Sequence, residues 1–301
     1  MVDSGKIIQC LPNFSEGRDL DKIEKIVNAF RRKTGVKLID YNNDVNLNRT
    51  MVILMGEPQS IKNAMLEAMG IAIKIIDIRE HKGQHPRMGV VDVVPFIPIK
   101  NMSMLEAVNL SKEFAKEAGE RFNVPIYLYE KSAIKPEREN LAHIRRGEYE
   151  GFGEKINRPG WKPDFGSRQL HITAGVTAVG ARMPYISLNI NLNTDNKKVA
   201  DSIAKSIRFT SGGLRFCKAI GVKLYNSQLV QICVTMTDYN KMSLYKVFEM
   251  VKMESKRFGV SIINSKIIGT IPMSALVDSA LYYLQVDDFS MEQILENMFM
   301  E

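Results

Sequence analysis

The sequence predicts an α/β (α+β) protein made of two ferredoxin-like βαββαβ subdomains, side by side, with a ligand cleft between them. Three observations point to this. The chain has 301 residues, more than one hydrophobic core usually serves, so two units are expected. Hydrophobic residues make up 45% and charged residues 25%, an ordinary globular balance. Short strand-like runs and amphipathic helical stretches also follow one another in the same order in both halves. The expected subdomains are residues 1–178 and 179–301.

Taken in order, Ile7–Leu11 reads as a buried strand and Leu20–Arg32 as an amphipathic helix, with Ile23, Ile26, Val27 and Phe30 on one face and Gly35 as its stop. Val36–Tyr41 and Met51–Gly56 read as strands, Ser60–Asp77 as a helix opened by Pro58, and Val90–Ile97 as a strand. This is βαββαβ, to which a helix at Ser103–Phe122 and a strand at Val124–Tyr129 are added. From about Lys131 to Thr177 glycines and prolines recur and regularity drops, apart from a short helix near Glu137–Arg146. Irregular stretches of this length often bind ligands. The second half repeats the order. Tyr185–Leu192, Ala219–Tyr225, Leu229–Thr235 and Val260–Ile268 are the strands, with a turn at Asn226-Ser227. Lys197–Arg208, Ser243–Phe258 and Pro272–Leu284 are the helices, the last with proline in its first turn.

Composition excludes several classes. The longest apolar runs, such as Ile71–Ile76 with Lys74 inside it, fall far short of the ~20 residues that span a bilayer. The N-terminus lacks a basic segment followed by an apolar one, so a cytoplasmic protein is expected. Cys10, Cys217 and Cys233 are odd in number, far apart and in apolar contexts, which suits buried thiols in a reducing compartment. The net charge of +7 comes from scattered residues without a basic strip. That argues against nucleic acid and fits a positive site for anionic small molecules.

Four blocks carry the chemistry. The densest is His81-Lys82-Gly83-Gln84-His85-Pro86-Arg87-Met88-Gly89, a structured loop whose histidines and cations suit acid/base work on an anionic substrate. Its two histidines are four apart, but Lys82 follows the first and Pro86 ends any helix, so zinc is not expected. The second block is Pro12-Asn13-Phe14-Ser15-Glu16-Gly17, where turn chemistry also explains Asn13 and Ser15. The third is Asn48-Arg49-Thr50. The fourth runs from Trp161 through Gly166 to Thr177, its glycines allowing backbone to approach a flat ligand closely.

Together these blocks resemble the glutamate formiminotransferase family. The matching stretches are CLPNFSEG (Cys10–Gly17), NRT (Asn48–Thr50), HKGQHPRMG (His81–Gly89), DVVPFIPI (Asp92–Ile99), GEYEG (Gly147–Gly151), WKPDFG, TAGVTAVGARMP (Thr173–Pro184), CKAIGV (Cys217–Val222) and YYLQVDDF. They cover nearly the whole chain. The chain ends without a cyclodeaminase domain, so the single-activity form is expected. Gln84 departs from the family's commoner Glu, and Ser167-Arg168-Gln169 falls where the family varies.

The resemblance implies transfer of the formimino group from N-formiminoglutamate to N5 of tetrahydrofolate within histidine degradation. It implies His85 as the catalytic histidine, and a folate loop made of Gly166, Ser167, Arg168, Gln169, Leu170, His171, Ile172, Thr173, Ala174 and Gly175. Tetrahydrofolate is a co-substrate and no metal is required. Arg49 and Arg87 are candidates to hold substrate carboxylates. Asn13 is a further candidate contact, and Asp40 or Asp44 could orient the imidazole or stabilise the amidinium. The expected partners are small molecules, namely formiminoglutamate and a folate polyglutamate, with no nucleic acid or membrane, in a homodimer. Two alternatives stay open: an enzyme of 5-formyltetrahydrofolate using the same loop, and a folate-binding module without turnover.

Overall fold

The computed structural model describes residues 5–45, 47–83, 85–224 and 229–299. Gln84 and the expected Asn226-Ser227 turn lie outside them. The chain divides into two compact units, Met1–Arg182 and Met183–Glu301.

In the first unit, β1 (Ile7–Cys10) and β2 (Asn13–Phe14) act as one strand interrupted at Leu11-Pro12. They are followed by α1 (Leu20–Asn28), β3 (Val36–Asp44), β4 (Arg49–Gly56), α2 (Pro58–Ile75) and β5 (Val91–Lys100). β1 and β2 both pair antiparallel with β4 on one side and β5 on the other, and β3 pairs with β4. The spatial order β3-β4-β1/β2-β5 is that of a split βαβ unit, as expected. The added segment is α3 (Met104–Phe122), which starts with a full capping box between Ser103 and Glu106, and then β6 (Ile126–Glu130).

The extension holds one strand more than the sequence pattern predicts. β7 (Thr177–Ala181) is wholly buried and pairs parallel with both β5 and β6. It escapes notice because Thr-Ala-Val-Gly-Ala carries little side-chain signal for a strand. The small residues are required by packing: a Cβ on Gly180 would stand 2.3 Å from the Tyr129 carbonyl oxygen. The irregular stretch before β7 is also more ordered than expected. It holds a single 3₁₀ turn at Pro136–Arg138, then α4 (Leu141–Arg145) and α5 (Glu148–Lys155). The glycines at 151 and 153 lie inside α5 and disguise it.

Two cores flank this sheet. α1, α2 and α3 bury one around Phe14, Phe30, Met65, Phe96 and Phe114. On the other side Val93, Tyr127, Tyr129 and Ala178 pack against Ile144 of α4, Phe152 of α5, Met88 and Val176. This second, smaller core supports the candidate site.

The second unit contains β8 (Ile186–Leu192), α6 (Lys197–Ile207), β9 (Cys217–Lys223), β10 (Val230–Met236), α7 (Leu244–Arg257), β11 (Ile262–Ile268) and α8 (Met273–Leu284). Its strands are all antiparallel in the order β11-β8-β10-β9, the ferredoxin-like arrangement the sequence predicts. β8 and β10 alternate strictly between buried and half-buried residues. Their inward side chains form one core with α6 and α7. Among the described residues, no helix is long and apolar enough to cross a membrane.

Candidate active site

The site grows from an oddity in β5. Val91-Asp92-Val93-Val94 puts a carboxylate in an otherwise apolar central strand. Pairing with β2 passes from Phe14–Val91 to Asn13–Val93, so Asp92 is the extra residue of a bulge. Bulges redirect side chains near functional sites. Asp92 is fully buried, and a buried carboxylate must be paired and hydrogen-bonded. Its Oδ2 accepts from Arg49 Nη1 at 2.9 Å and from Arg145 Nη2 at 2.5 Å. Its Oδ1 accepts from the Met88 backbone N–H at 2.9 Å. Burial alone would raise its pKa, but Arg145 and Arg49 outweigh it and hold the carboxyl below its usual range. Asn13 completes the group, its Oδ1 accepting from Arg49 Nε at 2.9 Å.

His85 is the titratable group this cluster acts on. It is half-buried, and its Nδ1 lies 2.7 Å from the Pro86 carbonyl oxygen. A carbonyl only accepts, so Nδ1 carries the hydrogen and the lone pair of the neutral ring is on Nε2. Its pKa is lowered, first by burial and then by Arg49, with Arg145 adding to this and Asp92 opposing it. The imidazole is thus neutral and basic near pH 7.

His81 is built differently. It is buried, its Nε2 lies 2.6 Å from the Asn48 carbonyl oxygen, and its Nδ1 accepts from Arg87 Nε at 3.3 Å. Both ring nitrogens are engaged by protein, and burial lowers its pKa. Asn48 knots the blocks together. Held in the left-handed region at φ 50, it accepts from Gly17 N–H at 2.9 Å and donates to the Lys82 carbonyl at 3.1 Å. Ser15 adds a hydrogen bond from its Oγ to the Gly89 carbonyl at 2.8 Å.

Loop 166–175 is fastened to the His85 loop at its far end. Gly89 and Gly175 form an antiparallel bridge, Val90 N–H donates to the Ala174 carbonyl and Val176 N–H to that of Met88, both at 2.9 Å. Tyr149 of α5 donates to the Ile172 carbonyl at 2.6 Å, Leu170 packs on the smaller core, and Ser167 Oγ accepts from Gln169 N–H at 3.0 Å. Arg168, Gln169 and Ile172 are exposed, while Ala174 and Gly175 are buried. The two end glycines serve the protein's own packing. A Cβ on Gly166 would stand 2.0 Å from the Val124 carbonyl oxygen, and one on Gly175 2.3 Å from that of Met88. His171 is half-buried, and its Nδ1 accepts from the Ala174 N–H at 3.0 Å, which leaves the hydrogen on Nε2.

The structure thus joins Arg49 and Asn13 directly, adds Asp92 and Arg145, and ties this group to the His85 loop through the Met88 N–H. Asp40 and Asp44 are exposed on β3, where Asp40 accepts from the Tyr41 N–H and Asp44 from the Leu47 N–H, each at 2.8 Å. Arg87 is buried with its fork filled by Glu150 at 2.7 Å twice and by Glu148 at 3.2 Å. The missed carboxylate had a signal, since an Asp inside an apolar central strand demands a partner. Arg145 had none, for HIRRG reads as an ordinary basic helix end.

Comparison with known proteins decides the family. Residues 7–182 match the family described as "Formiminotransferase domain, N-terminal subdomain", and residues 187–298 match "Formiminotransferase domain". The chain belongs to the formiminotransferase family. It is 47% identical over 293 residues to a glutamate formimidoyltransferase of Streptococcus pyogenes serotype M1, covering 97% of this chain and 98% of that protein. A glutamate formimidoyltransferase of Thermoplasma acidophilum is 39% identical over 292 residues, covering 96% of both chains. A formimidoyltransferase-cyclodeaminase of Rattus norvegicus is 36% identical over 284 residues, covering 92% of this chain and 52% of that protein. All the groups built into the His85 cluster lie within the span matching the formiminotransferase N-terminal subdomain.

Proposed function

We propose that this formiminotransferase moves the formimino group of N-formiminoglutamate to N5 of tetrahydrofolate, with His85 as the base and acid. N5 attacks the amidine carbon and its N–H proton passes to His85 Nε2. The tetrahedral adduct then collapses, the bond from that carbon to the glutamate nitrogen breaks, and His85 returns the proton to that nitrogen. One N–C bond forms, one breaks, and the N5 proton ends on glutamate.

The observation that carries this reading is the setting of His85: its Nδ1 lies against the Pro86 carbonyl oxygen, and its loop is held at the Met88 N–H by Asp92 of the buried Arg49–Asp92–Arg145 cluster. A base needs a pKa at or below the working pH, and burial with two nearby cations provides it. Arg49 depresses that pKa and Asn13 fixes Arg49. Arg87, taken up by Glu148 and Glu150, braces the loop. We assign the tetrahydrofolate face to the exposed part of loop 166–175. In place of Asp40 or Asp44, Asp92 supports the His85 loop by holding the Met88 N–H and by pairing Arg49 and Arg145. The reading carries with it a cytoplasmic homodimer that needs no metal.

The test is a donor assay with tetrahydrofolate as acceptor. Release of 5-formiminotetrahydrofolate and one glutamate per turnover from formiminoglutamate supports the reading. Turnover only of 5-formyltetrahydrofolate, or folate binding without turnover of either donor, overturns it.

A further inference from the structure

The donor's chemistry fixes where its carboxylate must be held. In N-formiminoglutamate the departing nitrogen carries the α-carbon, which carries the α-carboxylate. The group that binds this carboxylate therefore stands next to the group that protonates the nitrogen. The folate's own glutamyl carboxylates are separated from N5 by the aminobenzoyl ring.

Two guanidiniums share Asp92, which also holds the His85 loop at the Met88 N–H, and they differ. Arg49 is committed to protein through Nε on Asn13 and Nη1 on Asp92. Arg145 is engaged only through Nη2, by Asp92, among the described residues. Among the described residues its buried Nε has no hydrogen-bond partner. Its side chain is 17% exposed against 9% for Arg49. Two guanidiniums on one carboxylate leave one positive charge in excess, and a second carboxylate would neutralise it. With Nη1 uncommitted among the described residues and the side chain partly exposed, the Arg145 fork has a donor to offer a second carboxylate.

Arg145 is also held in place from behind. α4 has only five residues, too few to be stable alone. The ammonium of Lys155, at the end of α5, donates to the carbonyls of His143, Ile144 and Arg146 at 2.9, 2.6 and 2.9 Å. These are the open carbonyls at the helix C-terminus, where a cation is favoured. Lys155 lies over the Trp161 ring at 3.9 Å.

We propose that Arg145 binds the α-carboxylate of the donor's amino-acid half beside His85, and that Lys155 is the positioning residue that fixes α4 for this purpose. The proposal rests on the formimino-transfer reading. A double-mutant cycle between protein and substrate tests it. Wild type, Arg145→Met and Arg145→Lys are assayed with N-formiminoglutamate and with its α-amide, which has the same reacting group without the α-carboxylate charge. In the wild type the amide should lose roughly 10- to 100-fold in kcat/KM, as for a charge-assisted hydrogen bond. In Arg145→Met that penalty should fall to less than about threefold, with Arg145→Lys in between because it keeps the charge and loses the fork. Lys155→Met should shrink the penalty and Lys155→Arg should restore it. An undiminished penalty in Arg145→Met overturns the assignment. If that variant does not fold, an undiminished penalty in Arg145→Lys overturns it. A wild type inactive with both donors sinks the transfer reading itself, a separate result.

Discussion

Gly89 lies against Gly175, and this one-residue bridge joins the end of the His85 loop to the end of loop 166–175. The contact is too close for side chains. A Cβ on Gly89 would stand 2.1 Å from the Val176 carbonyl oxygen, and Gly175 has φ +71. Gly175→Ala should therefore lower the melting temperature and turnover together. Gly212→Ala, also at positive φ but with nothing within 4 Å of its Cβ, should cost only about 1–2 kcal/mol. Equal effects in thermal denaturation would show that the bridge has no special weight.

His85→Ala and His81→Ala should fail in different ways. Losing a general acid/base group costs roughly 10²–10⁴-fold in turnover, so His85→Ala should keep its melting temperature and lose rate. His81 has both nitrogens bound inside the protein. Its loss should destabilise the fold by roughly 1–3 kcal/mol through the unpaired Asn48 carbonyl and Arg87 Nε. The check is kcat alongside urea denaturation of both variants. A stable His81→Ala with the larger rate loss would exchange the two roles.

Both split-βαβ units were legible because their apolar periodicities are strong and their turns carry Gly or Pro. β7 and α5 were not, since Thr177–Ala181 is made largely of small residues and α5 contains Gly151 and Gly153. The site was legible in part. His85, Arg49 and Asn13 stand out as polar residues in loops or at strand ends. The contacts that divide labour among the arginines are long-range, as with Arg145 on Asp92 and Arg87 on Glu150. No local pattern reveals which guanidinium keeps a donor free.

Chelator should leave turnover unchanged. The only histidine pair in the loop is His81 and His85, and a metal on His81 would have to displace Arg87 or the Asn48 carbonyl. Activity after exhaustive dialysis against a strong chelator is the measurement. Loss restored by stoichiometric zinc would contradict the site described above.

The buried arginine should set the acid limit of the reaction. In the folded protein the His85 pKa is lowered, with burial first and Arg49 second among the causes. The basic form therefore persists below the usual imidazole value of about 6.5. Arg49→Gln removes the larger of the two opposing charges while leaving Arg145 to neutralise Asp92. The His85 pKa should rise, and the acid limb of kcat/KM should move to higher pH. Asp92→Asn should do the opposite, because Asp92 is the charge that raises the pKa. It also leaves two guanidiniums without their carboxylate, at a cost of roughly 3–5 kcal/mol. The linkage of Asp92 to stability has its own sign. Its folded pKa is below the unfolded value of about 3.9, so its contribution is present above that pH and is lost as the pH falls through the folded pKa. Acid unfolding of the wild type and pH–rate profiles of Arg49→Gln separate the two effects. An acid limb that stays in place in Arg49→Gln would mean that the limb does not report His85, and that the base in this reaction is another group.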